Sequence, residues 1–116
     1  MRNQPIDLSG GTLTIAQGAT ATEWLDMRGM PLSGISIFGP AALTGTISIE
    51  VTSNLNAENP SDIVAVNLQS GGADIVIGVS ECVPLDFICW HGLRLSSGSA
   101  EAEARVFKIM GVEDLT

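Results

Sequence analysis

The most regular alternation in the chain lies in residues 44–52. Ile47, Ile49 and Val51 fall on one side of an extended backbone, and Thr46, Ser48, Glu50 and Thr52 fall on the other. A period of two predicts a strand that is packed on one face and wet on the other, as in an antiparallel sandwich. Residues 12–16 and 33–38 alternate in the same way, Leu93-Arg94-Leu95 runs apolar, charged, apolar, and residues 104–110 supply a closing strand. Ile75, Ile77 and Val79 form another inward stripe, and residues 62–68 read as a strand covered on both faces. Residues 20–27 suit a strand anchored by Trp24. Glu23, Leu25 and Met27 are also good helix formers, but threonines flank the segment and Gly29 and Pro31 close it. Gln17-Gly18-Ala19, Gly39-Pro40, Gln69 through Asp74 and Ser96 through Ser99 are turns, and residues 53–61 are the longest polar loop. Pro84 cannot donate to a ladder, which puts it at an edge or between strands.

The pattern amounts to about eight short strands with no convincing helix. It predicts an all-β fold, an antiparallel β-sandwich of jelly-roll type, with a seven-stranded immunoglobulin-like sandwich as the alternative. Residues 1–11 are polar, end in Ser9-Gly10-Gly11 and read as an N-terminal arm. Residues 12–112 then form a single domain and residues 113–116 an acidic tail. A chain of 116 residues, 45% hydrophobic, can bury a core without metal or disulfide staples.

Charge narrows the range of partners. Thirteen acids stand against five basic residues, for a net charge of -8. The five cations are scattered, and neither a phosphate backbone nor an anionic membrane surface is held without clustered Lys and Arg. No nucleic acid and no membrane partner is expected. The first residues lack the apolar run of a secretory signal, and no stretch is long and apolar enough to span a bilayer, so the product is expected to start out in the cytoplasm. Cys82 and Cys89 are spaced for neither a zinc pair nor a thioredoxin-type motif, and read as free thiols near the core.

Candidate chemistry concentrates in residues 88–98, which hold Cys89, Trp90, Arg94 and the only histidine, His91. On a strand Cys89 and His91 would share a face, as a thiol and its base require. Zinc needs three or four ligands, and Cys82, Cys89 and His91 supply three at most, without the usual spacing. No serine sits in a Gly-x-Ser-x-Gly elbow. The carboxylates fall at turns and wet strand positions, as solvated surface charge does. Gly71-Gly72 lacks the Lys and Ser/Thr of a phosphate cradle. A glycan-binding sandwich wants exposed aromatics, and the stock is Trp24, Trp90, Phe38, Phe87 and Phe107. The residues therefore point to no catalytic site, no metal and no cofactor, and the chain is not read as an enzyme. Trp90, Leu93 and Leu95 read as core, with Arg94 on the wet face.

One resemblance sharpens this. Residues 83–107 begin Val83-Pro84-Leu85, reach Trp90, and continue through Leu93-Arg94-Leu95, Ser97-Gly98-Ser99-Ala100 and the apolar strand at Val106-Phe107. This run resembles the C-terminal part of small structural proteins of tailed bacteriophages. Leu32-Ser33-Gly34-Ile35, followed by residues 45–54 ending in Ser53-Asn54, is similar to their upstream layout. The likeness covers roughly residues 12–110 and departs from the pattern in the 54–61 loop and in the two cysteines. It implies a virion protein, most like a capsid decoration (cement) protein on the outer capsid surface, which binds the major capsid protein and its own copies, often as a homotrimer. The alternative is a tail- or fibre-associated binding module, for instance a glycan-binding one. Under this resemblance Ile6 and Leu8 in the arm would reach a neighbour, and Arg94 and Arg105 would be trimer contacts.

Overall fold

The alternating segments pair into antiparallel sheets. The computed structural model describes residues 3–28, 32–85 and 90–114, and of residues 3–10, 32–33 and 112–114 it describes the backbone alone. The strands are β1 (Asn3–Ile15), β2 (Leu25–Asp26), β3 (Leu32–Phe38), β4 (Ile47–Thr52), β5 (Val66–Asn67), β6 (Gln69–Ser70), β7 (Ala73–Asp74), β8 (Val76–Ile77), β9 (Cys82–Leu85), β10 (Gly92–Ser97) and β11 (Arg105–Asp114). A 3-10 turn, Pro60–Asp62, interrupts the long loop after β4, with the Asn59 side chain capping it.

One sheet runs β1-β11-β3-β9 and the other β2-β10-β4-β5, with β8 also pairing β4. Strands β5 and β8 share one edge of β4, so they occupy one position in the topology. On that count the first strand pairs with the last, the second with the one before it, the third with β9, and the fourth with β5 and β8. This is a long antiparallel hairpin rolled up on itself, the jelly roll. An immunoglobulin arrangement would put the first strand beside the second; here β1 lies beside β11 in the opposite sheet from β2.

The inward stripes meet between the sheets. Leu13, Ile15, Ile35, Ile37, Leu85, Phe107 and Ile109 come from one sheet, and Leu25, Ile47, Ile49, Val51, Ile77, Leu93 and Leu95 from the other; all are buried. Each contributes about 1.5–3 kcal/mol relative to an exposed position.

Several expectations shift. Residues 3–11 are not set apart from the first strand: β1 runs through them, paired with β11 from Asn3↔Asp114 onward. The register breaks between Asp7 and Thr12, where Gly11 takes φ +87°. The Gly10-Gly11 pair, expected to end an arm, instead lies within an irregularity of a continuous strand. At the other end Glu113 and Asp114 belong to β11. Residues 62–68 are not covered on both faces: Val64 is 72% exposed and Val66 57% exposed, because only Val66 and Asn67 join the sheet there. Of the stripe Ile75, Ile77, Val79, Ile77 is buried and Val79 is exposed, since the strand ends at Ile77. The Gly71-Gly72 turn closes β6 onto β7 with both glycines at positive φ, as the tightest hairpin turns require. Cys82 lies exposed on the edge strand β9 rather than near the core, and Cys89 lies outside the described residues.

Leu95→Ala should cost about 2–5 kcal/mol in urea unfolding, whereas Val64→Ala should stay within about 0.5 kcal/mol of wild type. Equal losses would mean that the core is misplaced.

Candidate functional site

The segment before β2 follows β10 with one extra residue. Ala21 bridges Ser96, the Thr22 N–H donates to Leu95 O at 3.0 Å, and then Leu25 pairs with Leu93. Glu23 and Trp24 therefore both stand opposite Arg94, which is a β-bulge. Thr22 holds it in place: its hydroxyl donates to Glu23 O (2.9 Å) and accepts from the Leu95 N–H (3.1 Å). The bulge keeps Trp24 out of the core, so Leu25 and Met27, not Trp24, anchor this strand. The Arg94 guanidinium lies over the indole, 4.6 Å from its centroid, and its Nε donates to Glu50 Oε1 at 2.8 Å. Glu50 and Arg94 are cross-strand partners, so pairing and stacking reinforce one another.

Strands β1 and β2 are the edges of their sheets on the same side of the sandwich. Between them runs a groove of about 550 Å³, lined by Thr12, Leu13, Thr14, Ala16, Ala21, Thr22, Glu23 and Trp24. Thr12, Thr14 and Glu23 are exposed and Trp24 is half-buried.

At one end of the roll a buried carboxylate gathers the connecting loops. Glu101 is 1% exposed. It accepts from the Thr44 and Gly45 N–H groups (2.8 Å each), the Ser97 hydroxyl (2.7 Å) and Arg105 Nε (2.9 Å). Its own N–H donates to Ala19 O, and its carbonyl accepts from the Gly18 N–H. Burial pushes the Glu101 carboxyl up, but the Ser97 hydroxyl, the two N–H groups and Arg105 outweigh it and hold the pKa down to about 2, from an ordinary 4.5. Gly45 permits the approach, because a Cβ there would come within 2.2 Å of Ser97 Oγ. The general reading of the acids as solvated surface charge fails at Glu101. No local sequence signal marked it, since the N–H groups of Thr44 and Gly45 that it accepts from are distant in the chain.

His91 works at the opposite end. Its N–H donates to Thr52 O (2.9 Å), its carbonyl accepts from the Met27 N–H (2.8 Å), and its Nδ1 accepts from the Leu55 N–H (3.3 Å). Arg28 pairs with Asp26 at 2.8 Å and also reaches Asn56 Oδ1, tying the same loops together from outside. Those bonds from Arg28 hold the Asp26 carboxyl down to about 2. The structure thus brings His91 to a loop junction, and the Cys89–His91 pair lies outside the described residues. Trp90 packs against the core with its Nε1 unpartnered among the described residues.

Of the expected partner contacts, Arg94 is engaged by Glu50 and Trp24, and Arg105 by Glu101, Glu103 and Thr44, with 30% and 12% of their side chains exposed. Ile6 has its backbone opposite Gly111; the side chains of Ile6 and Leu8 lie outside the described residues. The outer face of the β1-β11-β3-β9 sheet presents Thr12, Thr14, Phe38, Cys82, Pro84, Val106 and Lys108. Val106 is 50% exposed and Phe38 37% exposed.

No protein-family model matches the chain, and no curated protein and no solved structure matches it.

Glu101→Ala strands Arg105 and three donors, and should cost about 3–5 kcal/mol. The wild-type contribution is complete above pH 4.5 and drains away as pH falls through that value toward about 2, because the folded carboxyl binds its proton later than the unfolded one. The stability gap between wild type and Glu101→Gln, read by denaturant titration, should therefore narrow across that window. A constant gap would mean that the carboxylate is not held as described.

Proposed function

We propose that this protein is a structural virion protein, an outer-capsid decoration (cement) protein that binds and stabilises the shell of major capsid protein as a homotrimer. It does so as a rigid binding domain, without catalysis. The observation that carries the reading is the outer face of the β1-β11-β3-β9 sheet. In a chain of net charge -8, that face exposes Phe38, Pro84 and Val106 around Lys108. Exposed apolar side chains on an otherwise charged surface mark protein contacts, whose centres are depleted of charge. The acids of the opposite sheet and of the loops then face outward and keep decorated particles soluble.

Arg94 and Arg105 already serve the domain's own structure, through Glu50 and Trp24 and through Glu101. The resemblance to tailed-phage structural proteins supports the kind of partner, and the exposed apolar side chains of the sheet support docking through that face.

The test is co-sedimentation of the purified protein with expanded heads assembled without it. Wild type should saturate the heads, and Val106→Glu should bind at least about tenfold more weakly with an unchanged thermal midpoint. Phe38→Glu serves as a second substitution on the same face. If wild type binds and both folded variants bind equally well, the docking face is wrong; if wild type does not bind heads, the decoration reading falls. Light scattering on the 12.1 kDa chain separates a trimer from a monomer.

A further inference from the structure

The groove between β1 and the bulge before β2 has a use that docking on a shell does not require. We propose that it is a binding site for a neutral oligosaccharide. Three features meet there.

The first is a fixed aromatic wall. The bulge holds Trp24 at the surface, and Arg94, itself clamped by Glu50, covers one face of the indole at 4.6 Å. The rest of the ring lines the groove. A ring whose position is already set by stacking and an ion pair loses little freedom on meeting a ligand. Carbohydrate C–H faces pack on such rings, and the amphipathic indole offers an N–H beside an apolar body.

The second is the state of the polar groups. Several hydroxyls and carboxylates of this domain are used internally: Thr22 on the bulge, Ser97 and Thr44 around Glu101, and Glu50 on Arg94. In the groove the Thr12 and Thr14 hydroxyls, the Glu23 carboxylate and the Trp24 N–H are without hydrogen-bond partners among the described residues, and the threonines and Glu23 are exposed. Hydroxyls that both donate and accept, set beside a carboxylate acceptor and an indole donor, match the alternating donors and acceptors of a polyol.

The third is charge and size. Glu23 is the one charged residue in the lining, so a phosphorylated, sulfated or sialylated ligand would be repelled. A volume of about 550 Å³ falls in the range that takes a small organic ligand. The groove is open rather than a closed pocket and contributes few donors, so affinity should be weak, with Kd on the order of 1 mM. An extended peptide added to the free edge of β1 is the competing occupant. The hydroxyl-rich lining and the aromatic wall favour sugar over backbone.

The experiment is an NMR titration of the isotopically labelled chain with maltotriose, cellotriose and chitotriose, each to about 10 mM, enough to load a site of the expected affinity. At least one sugar should shift the Trp24 indole N–H together with the Thr14 and Glu23 amides in a saturable way. Glu23→Ala, an exposed change that leaves Thr22 and Arg94 in place, should weaken that binding about tenfold or more. Thr14→Val, which keeps the strand and removes a hydroxyl, should weaken it by a smaller factor. Absence of saturable shifts with all three sugars overturns the proposal. So do shifts centred away from the groove, binding untouched in a folded Glu23→Ala variant, or saturation of the same signals by an unrelated extended peptide but by no sugar. Each outcome is independent of whether the protein binds capsids.

Discussion

The interaction on which the roll depends is the burial of one carboxylate. A jelly roll brings the β1–β2, β3–β4 and β10–β11 connections to the same end of the sandwich, where short loops with many polar backbone groups must crowd together. Glu101 takes N–H groups from the β3–β4 loop and the Ser97 hydroxyl at the end of β10, while its own peptide groups bond the turn at Gly18 and Ala19. Removing a carboxylate from water costs several kcal/mol. Here four hydrogen bonds, one of them from Arg105, offset that cost. The β5–β9 side of this end is tied in separately, through the Gly39 N–H to Glu81 O and the Ser80 N–H to Pro40 O. The opposite end is held more loosely, by His91 and the exposed Arg28–Asp26–Asn56 cluster.

With the ends secured in this way, local irregularity is tolerated along the edges. The bulge opposite Arg94 would turn a strand's side chains over if it propagated. It is confined, because Thr22 supplies the missing hydrogen bond to Leu95 and Leu25 returns to the core. The result is a tryptophan displayed at the surface of a small domain with few aromatic residues. The same bulge ejects Glu23 beside it, so a packing irregularity and a recognition groove have one cause.

The two faces of the molecule differ in what they can meet. The β2-β10-β4-β5 sheet carries Glu50 and Arg94 in an ion pair and ends at the exposed acids of its loops. The β1-β11-β3-β9 sheet turns Phe38, Pro84 and Val106 outward around Lys108. A domain built this way can lie on a protein surface with one sheet and face solvent with the other.

The sequence by itself determined the all-β class and the inward stripes. Ile47, Ile49, Val51, Leu93, Leu95 and Phe107 are buried because a period-two pattern has only one way to hide its apolar side. It also placed the Gly71-Gly72 turn, since two adjacent residues at positive φ favour glycine. Local pattern was silent where a residue's partner is distant in the chain. Glu101 looks like any surface acid until residues 44 and 45 are folded against it, and Trp24 looks like a core anchor until the strand opposite is seen to be one residue short. Residues 3–11 look like an arm until the last strand lies beside them. In each case the deciding partner is separated by tens of residues. Short-range periodicity records which side of a strand is apolar, but only tertiary structure decides which strand lies opposite, in what register, and which polar group is left without a partner.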